Sequence, residues 1–512
     1  MHMQIQRSSE WKEGFVDRLE NRQPWDSWTL YKMCYEVEKA KLIEDFYGLQ
    51  SPKYLPELKP YAHQLEAAET VIERMNGKAI LADEVGLGKT IEAGLILKEY
   101  LIRGLVKKAL ILVPASLMNQ WLEELNQKFH IPAMQYSKKY DLNACNIVVA
   151  SLDMAKRSPH KENIYSQDYD LIIIDEAHKL KNHKTKNYEF VQSLKKKFCL
   201  LLTATPIQND VFELFHLISL LKPGHLGNFE TFQVAFSASK HNVEEDEFLK
   251  ELINQVMVRN SRQDTLNEWT SRRIQNIPIE FSDQEKEVYH MLSELKNVSP
   301  QFSDAFSTIT LQREICSSKE ATLVTLLKMR EKCSASEEVA YIDELLGKLN
   351  ALEVNSKAEK AYEIIAKAND KVIIFTEYRA SQEYLQSYLY SKGITSVLFN
   401  GKFSKNKKEW MKLLFKEKAQ VLIATESGSE GINLQFCHHV INYDLPWNPM
   451  KLEQRIGRVH RLGQEHDVHI YNLAIQHTIE EQILNLLNTK IGVFEKVVGE
   501  LDDILSGFKL SI

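Results

Sequence analysis

The chain has 512 residues, 44% of them hydrophobic and 26% charged, with a formal net charge of −6. That length holds roughly three or four domains, and that hydrophobic content excludes global disorder. The mild acidity excludes binding of nucleic acid through bulk charge, so any phosphate-binding surface has to be a local basic groove.

The six cysteines (Cys34, Cys145, Cys199, Cys316, Cys333, Cys437) form no Cys-x-x-Cys pair. Scattered thiols read as reduced and structural, in a cytoplasmic protein. Cys437-His438-His439 is metal-like, but it runs into the apolar pair Val440-Ile441 and reads as packing rather than as a ligand set. The N-terminus carries Glu10, Glu13 and Asp17 without an apolar core, so no signal peptide is expected. No apolar run approaches about 18 residues, so no membrane span is expected.

Residues 1–55, rich in Trp and Tyr, read as an N-terminal helical segment. Residues 56–223 alternate helical patterns with apolar strands at Ala79–Leu81, Ala109–Val113, Ile147–Ala150, Leu171–Ile174 and Cys199–Leu202. The run 171–174 is apolar on both faces, as a central parallel strand should be. Residues 224–355 read as helical protrusions and linker, with charged helical patterns at Ser282–Leu295 and Ile342–Leu352. Alternation resumes over 356–477, with strands at Val372–Phe375, Ser396–Phe399, Val421–Ala424, Val440–Tyr443 and Val468–Leu473. Residues 478–512 carry Ile479, Ile483, Leu487 and Ile491 at four-residue spacing. That is one face of an amphipathic helix, packing back on the core or binding a partner. The fold class is α/β, with two doubly wound parallel-sheet lobes, helical insertions and a C-terminal helix.

Between the first strand and its helix runs Leu81-Ala82-Asp83-Glu84-Val85-Gly86-Leu87-Gly88-Lys89-Thr90. Small residues at such a turn let backbone N–H groups wrap a phosphate at a helix N-terminus. Lys89 can reach the β/γ-phosphates, and Thr90 can ligate Mg²⁺. Asp83 departs from the general pattern, which has glycine there. Asp175-Glu176-Ala177-His178 ends the buried strand, where ligands of parallel sheets sit. Asp175 suits Mg²⁺, held through its waters, and Glu176 suits the base that deprotonates an attacking water. Farther on, Gln454-Arg455-Ile456-Gly457-Arg458-Val459-His460-Arg461 puts Arg458 and Arg461 at i, i+3 on one helix face. Guanidinium groups there can stabilise a γ-phosphate in transfer, or the stretch is a solvated basic helix. Six lysines and one glutamate between Lys402 and Lys416 fit a backbone-tracking patch and a solvated face equally well, as do Lys195–Lys197.

In this order the motifs resemble the superfamily-two helicase-like ATPases, and more closely the Swi/Snf-like family of DNA translocases. The resemblance rests on Ala82–Glu92, Asp175–His178, Thr203–Asn209, Arg259–Arg262 and Asp444–Gln464. The form Glu426-Ser427-Gly428-Ser429-Glu430-Gly431 resembles the bacterial RNA-polymerase-associated branch. The resemblance implies two RecA-like lobes that use ATP and Mg²⁺, and its own version of the loop carries the equivalent of Asp83. It implies nucleotide contacts by Gln64 (reading adenine), Asp83, Glu84, Gly86, Leu87, Gly88, Lys89, Thr90 and Gln454. It further implies that Pro114, Ser116, Ser151, Thr425, Gly428, Gly431 and Asn433 meet the DNA backbone.

Together these readings give an ATP-hydrolysing motor that tracks double-stranded DNA without reading sequence and displaces bound proteins, RNA polymerase among them. It is expected to be monomeric. A strand-separating DNA or RNA helicase, or an ATP-gated DNA clamp or motor subunit of a defence or repair assembly, are the alternatives.

Overall fold

The structure is a computed structural model that describes residues 16–17, 20, 27–41, 48–137, 145–204, 206, 212–238, 251–262, 269–298, 305–333, 336–429 and 432–497. It divides into two units, residues 1–50 and 51–512. In the first, the helix Trp28–Lys41 stacks Trp28 on Tyr31, their centroids 5.0 Å apart.

The second unit is built on two sheets in which every pairing is parallel. The first runs through β1 (Lys78–Leu81), β2 (Ala109–Val113), β3 (Met134–Gln135), β4 (Ile147–Ser151), β5 (Tyr169–Asp175), β6 (Lys196–Leu202) and β7 (Met257–Val258), in the spatial order β3-β4-β2-β5-β6-β1-β7. The second contains β8 (Arg272–Ile279), β9 (Val372–Thr376), β10 (Ser396–Phe399), β11 (Val421–Thr425), β12 (His439–Asn442) and β13 (Val468–Ile475), ordered β10-β11-β9-β12-β13-β8. Helices cover both faces of each sheet, which is why central strands such as β2, β9 and β11 are buried throughout rather than alternating. Ile172 and Ile174 enter a core with Leu110, Leu112 and Leu201, while Ile173 between them is equally buried. In the second lobe Val372 and Ile374 enter one core, and Ile373 and Phe375 enter another.

The stretch 224–355, expected to be helical, also supplies strands to both sheets. β7 pairs with β1, and β8 pairs with β13 over its full length, from Arg272 opposite Val468 to Ile279 opposite Ile475. β8 is an edge strand with most side chains exposed, Ile274 included, and Pro278 within it. An edge strand tolerates proline and needs no apolar run, so neither signal marked it. The helices Asp283–Val298, Ala305–Ser317, Lys319–Arg330 and Ser336–Ala351 share a core of their own around Leu292, Leu311, Leu326 and Leu345.

Ile479, Ile483 and Leu487 of the final described helix, Ile479–Val497, enter the second lobe's core, so this face is used within the chain. A buried Lys357–Glu480 pair, with Asp444 3.6 Å from the same ammonium, fixes its start. Among the described residues, no helix is long and apolar enough to cross a membrane.

Candidate active site

Parallel strands put all their carboxyl ends at one edge of a sheet, and the site grows from there. After β1 the chain turns through Gly86 and Gly88 and starts the helix Lys89–Ile102. Gly88 has φ 95°, a left-handed value natural to glycine. A Cβ there would also stand 2.5 Å from Gln64 Nε2. Gln64 donates from Nε2 to the Leu87 carbonyl at 2.8 Å and accepts at Oε1 from the Tyr61 N–H at 3.0 Å. Lys89 Nζ donates to the carbonyls of Asp83 and Glu84.

Asp83 is fully buried. Its Oδ1 accepts from the Asn260 N–H at 2.8 Å, and its Oδ2 accepts from Asn260 Nδ2 at 3.0 Å. Glu84 Oε2 accepts from the Arg262 N–H at 2.7 Å, and Arg262 Nη2 donates to the Val85 carbonyl at 2.7 Å. Burial raises the Glu84 pKa to about 7. Residues 259–262, next to β7, therefore brace the outer side of the phosphate loop. Asp83 and Glu84, expected on the nucleotide, turn their carboxylates to this brace, and neither lines the cavity described below.

At the end of β5, Asp175 Oδ2 accepts from Trp121 Nε1 at 2.8 Å and Oδ1 accepts from the Glu176 N–H at 2.8 Å. Burial, then the adjacent Glu176 charge, raises its pKa to about 6. Glu176 adopts left-handed backbone, φ 53°, rare outside glycine and frequent at functional sites. Its Oε2 lies 3.0 Å from His178 Nδ1. Burial alone would raise the Glu176 carboxyl, but His178, Arg458 and Lys89 outweigh it and hold the group below the ordinary range. Two neighbouring carboxyls are thus driven apart in acidity, the usual arrangement when each has its own task.

The second lobe brings its arginines on a turn, not on a helix face. The helix Pro449–Ile456 stops at Gly457, and Arg458 and Arg461 follow in the turn. Buried His460 holds this turn: its Nδ1 accepts from Arg272 Nε at 2.8 Å, so the ring proton sits on Nε2, 2.9 Å from the Thr270 carbonyl. Arg272 also reaches Glu453 at 3.0 Å. Burial and neighbouring Arg458 lower Arg461 to about 10, partly offset by Glu124 of the first lobe. The two lobes meet here. A Cβ on Gly457 would stand 2.3 Å from Val85 Cγ1, and one on Gly86 3.2 Å from the His460 carbonyl.

One cavity of about 740 Å³ runs between the lobes. From the first lobe it takes Gln64, Gly86, Leu87, Gly88, Lys89, Thr90, Asp175 and Glu176, and from the second Gln454, Arg458 and Arg461. Of the residues expected at the DNA backbone, Ser116 and Asn433 line it. Pro114, Ser151, Thr425 and Gly428 are buried outside it, although each sits at or just beyond a strand's carboxyl end. Gly428 packs its backbone so closely on Phe399 that a Cβ would lie 2.5 Å from the Phe399 oxygen. Gly431, Thr205 and residues 207–209 lie outside the described residues. Thr203, Ala204, Lys408 and Lys412 also line the cavity. Sequence reasoning missed Trp121, Asn260, Arg272 and His460; Asn260 and His460 lay within flagged motifs without a role of their own, while Trp121 and Arg272 lay in none and touch site residues distant in sequence.

The SNF2-related domain model matches residues 63–338, and the helicase conserved C-terminal domain model matches residues 356–463. The chain belongs to the SNF2-related family. An "uncharacterized ATP-dependent helicase YqhH" of Bacillus subtilis (strain 168) is 58% identical over 514 residues, covering 100% of this chain and 92% of its own. An "uncharacterized ATP-dependent helicase" of Mycoplasma pneumoniae is 27% identical over 497 residues, covering 92% of this chain and 45% of its own. Among solved structures, the Sulfolobus solfataricus SWI2/SNF2 ATPase core in complex with dsDNA is 24% identical, with a TM-score of 0.41, covering 86% of this chain and 94% of that one. As an SNF2-related protein of two parallel-sheet lobes, this chain is an ATP hydrolase of the helicase-like type.

Proposed function

We propose that the chain is an ATP-driven translocase on double-stranded DNA that displaces or remodels DNA-bound proteins, with RNA polymerase a candidate target by resemblance. The supporting observation is the single cavity that gathers Lys89, Thr90, Asp175 and Glu176 from one lobe and Gln454, Arg458 and Arg461 from the other. In this reading Lys89 leaves the loop carbonyls for the β/γ-phosphates, while Glu176 takes a proton from the attacking water. Arg458 and Arg461 meet charge developing on the γ-phosphate, which couples cleavage to the fit between lobes. Gln64 reads the adenine edge.

The donor set fits Mg²⁺, since Thr90 offers a hydroxyl and Asp175 a carboxylate, both hard oxygens on the cavity wall. Each Asp175 oxygen accepts one hydrogen bond and keeps a lone pair for a metal-bound water. When bound, the cation would neutralise charge building on the phosphates.

Polar and basic groups on the cavity wall, Ser116, Asn433, Lys408 and Lys412, suit phosphate contacts that position without reading sequence. The six cysteines are unpaired, which supports a reducing, cytoplasmic setting, and the motor is read as a monomer. Displacement of a third strand from a duplex, far from the loading site, tests this reading. ATP-dependent removal supports travel on duplex DNA. Release of a labelled single strand from the duplex itself would replace it with strand separation. ATPase stimulation without any displacement would leave a clamp or a motor subunit.

A further inference from the structure

The edge of the second sheet away from the cleft gathers side chains that nucleotide chemistry does not use. β9, β12 and β13 are neighbours, and their register sets His439 beside both Val372 and His469. Asp370 stands two residues ahead of Val372, so the topology brings it to the same amino-terminal edge as His438 and His439. His438 Nε2 lies 3.4 Å from Asp370 Oδ2. Asp370, His438 and His439 each offer a ligand atom, all within 4.8 Å of one another. The His466 ring is centred 5.0 Å from that of His438, and the His469 ring 5.0 Å from that of His439. His439 is 8% exposed, and its buried Nδ1 has no hydrogen-bond partner among the described residues. Such an atom calls for an explanation, an unseen ion included.

We propose that Asp370, His438 and His439 form a binding site for a divalent transition cation of the zinc type. Two imidazole nitrogens and a carboxylate oxygen are zinc's own donor classes, whereas Mg²⁺ prefers an all-oxygen set. The remaining positions fall to water or to the flanking His466 and His469. The packing expected of Cys437-His438-His439 is seen in the thiol, whose Sγ reaches the Lys371 carbonyl at 3.1 Å, and in the His439 ring, stacked on His469 and Tyr471; ligation is proposed beside that packing. Because the phosphate-binding residues lie at the carboxyl ends of the strands, a cation at the amino ends takes no part in ATP cleavage. It ties the loop before β9 to the start of β12, and a ligand that binds only the folded state raises its melting temperature.

The test uses the full, untagged chain, stripped with chelator and held in excess Mg²⁺ to occupy oxygen sites. Equilibrium dialysis with Zn²⁺ is expected to give one equivalent bound, with an intense Co²⁺ visible spectrum in substitution. Asp370→Asn, at a half-exposed side chain, and His438→Asn should each weaken Zn²⁺ by at least about tenfold, given what even outer partners of zinc contribute. Both should lose the Zn²⁺-dependent rise in melting temperature while keeping wild-type ATPase. His290→Asn, at an exposed histidine elsewhere, should behave as wild type. No Zn²⁺ bound by the wild type, or equal binding by the wild type and the Asp370→Asn protein, overturns the site.

Discussion

The two lobes face the same cavity but hold their reactive groups by different means. In the first, Asp175 ends a buried strand and Lys89 starts the helix after the loop that leaves another, and neighbours fix this half at short range: Trp121 on Asp175, Gln64 on the loop, Asn260 on Asp83. In the second, Arg458 and Arg461 sit on a turn whose place depends on buried His460 and on Arg272 of an edge strand. The difference teaches that one half of the site is preorganised by the sheet, while the other is delivered by an anchored turn. Damage to the first should remove chemistry. Damage to the second should misplace it.

The largest effect is expected at Lys89. Lys89→Ala should cut ATP turnover by at least roughly 10³-fold, the scale for one charge on a transferring phosphoryl group. Glu176→Gln should hold nucleotide without turning it over, seen as slow release of a labelled nucleotide. Normal turnover in that variant would remove Glu176 as the base. Next come Arg458→Ala and Arg461→Ala, with losses of about 10³-fold or more in kcat and duplex affinity largely retained. A parallel loss of duplex binding would assign these arginines to DNA or to folding instead.

A steric change probes the contact between the halves. Gly457 has φ −64°, so alanine is compatible with its backbone, yet a Cβ would lie 2.3 Å from Val85 Cγ1 of the phosphate loop. Overpacking of this kind costs about 1–3 kcal/mol, which at the closed cleft means roughly a 5–150-fold loss of turnover. Gly457→Ala should therefore slow ATPase, and the added Val85→Ala should restore most of it. A double-mutant cycle measures this coupling, and strict additivity would deny the contact.

The comparison between the lobes also separates what the sequence made legible from what it hid. The apolar strands and the loop at Gly86-Leu87-Gly88-Lys89-Thr90 are local signals, since each depends on consecutive residues, and the strand positions agree with the structure to within a few residues. β8 was hidden because an edge strand needs no continuous apolar run, and with it went the Arg272–His460 anchor. The i, i+3 spacing of Arg458 and Arg461 suggested a helix face, but Gly457 ends the helix and His460 packs inward. Asp83 matched a motif as a unit, and only the fold shows its carboxylate on Asn260, 177 residues away. What local pattern cannot carry is a partner brought by topology.

The smallest effect tests the anchor through pH. Burial, then the Arg272 charge, lowers the His460 pKa to about 4, against the ordinary histidine value near 6.5. The unfolded chain therefore takes up this proton at a higher pH than the folded one. Stability from His460 is full above about pH 6.5 and falls as pH drops toward 4, by about 2–3 kcal/mol in all. Urea unfolding at pH 7.5, 6 and 5 should show the wild type losing more stability than His460→Gln, whose neutral side chain cannot take up the proton. Equal slopes would mean that the imidazole is not held buried beside Arg272 in solution. The arginine turn would then be held by its helix alone, and the contrast between the lobes would shrink to one of position.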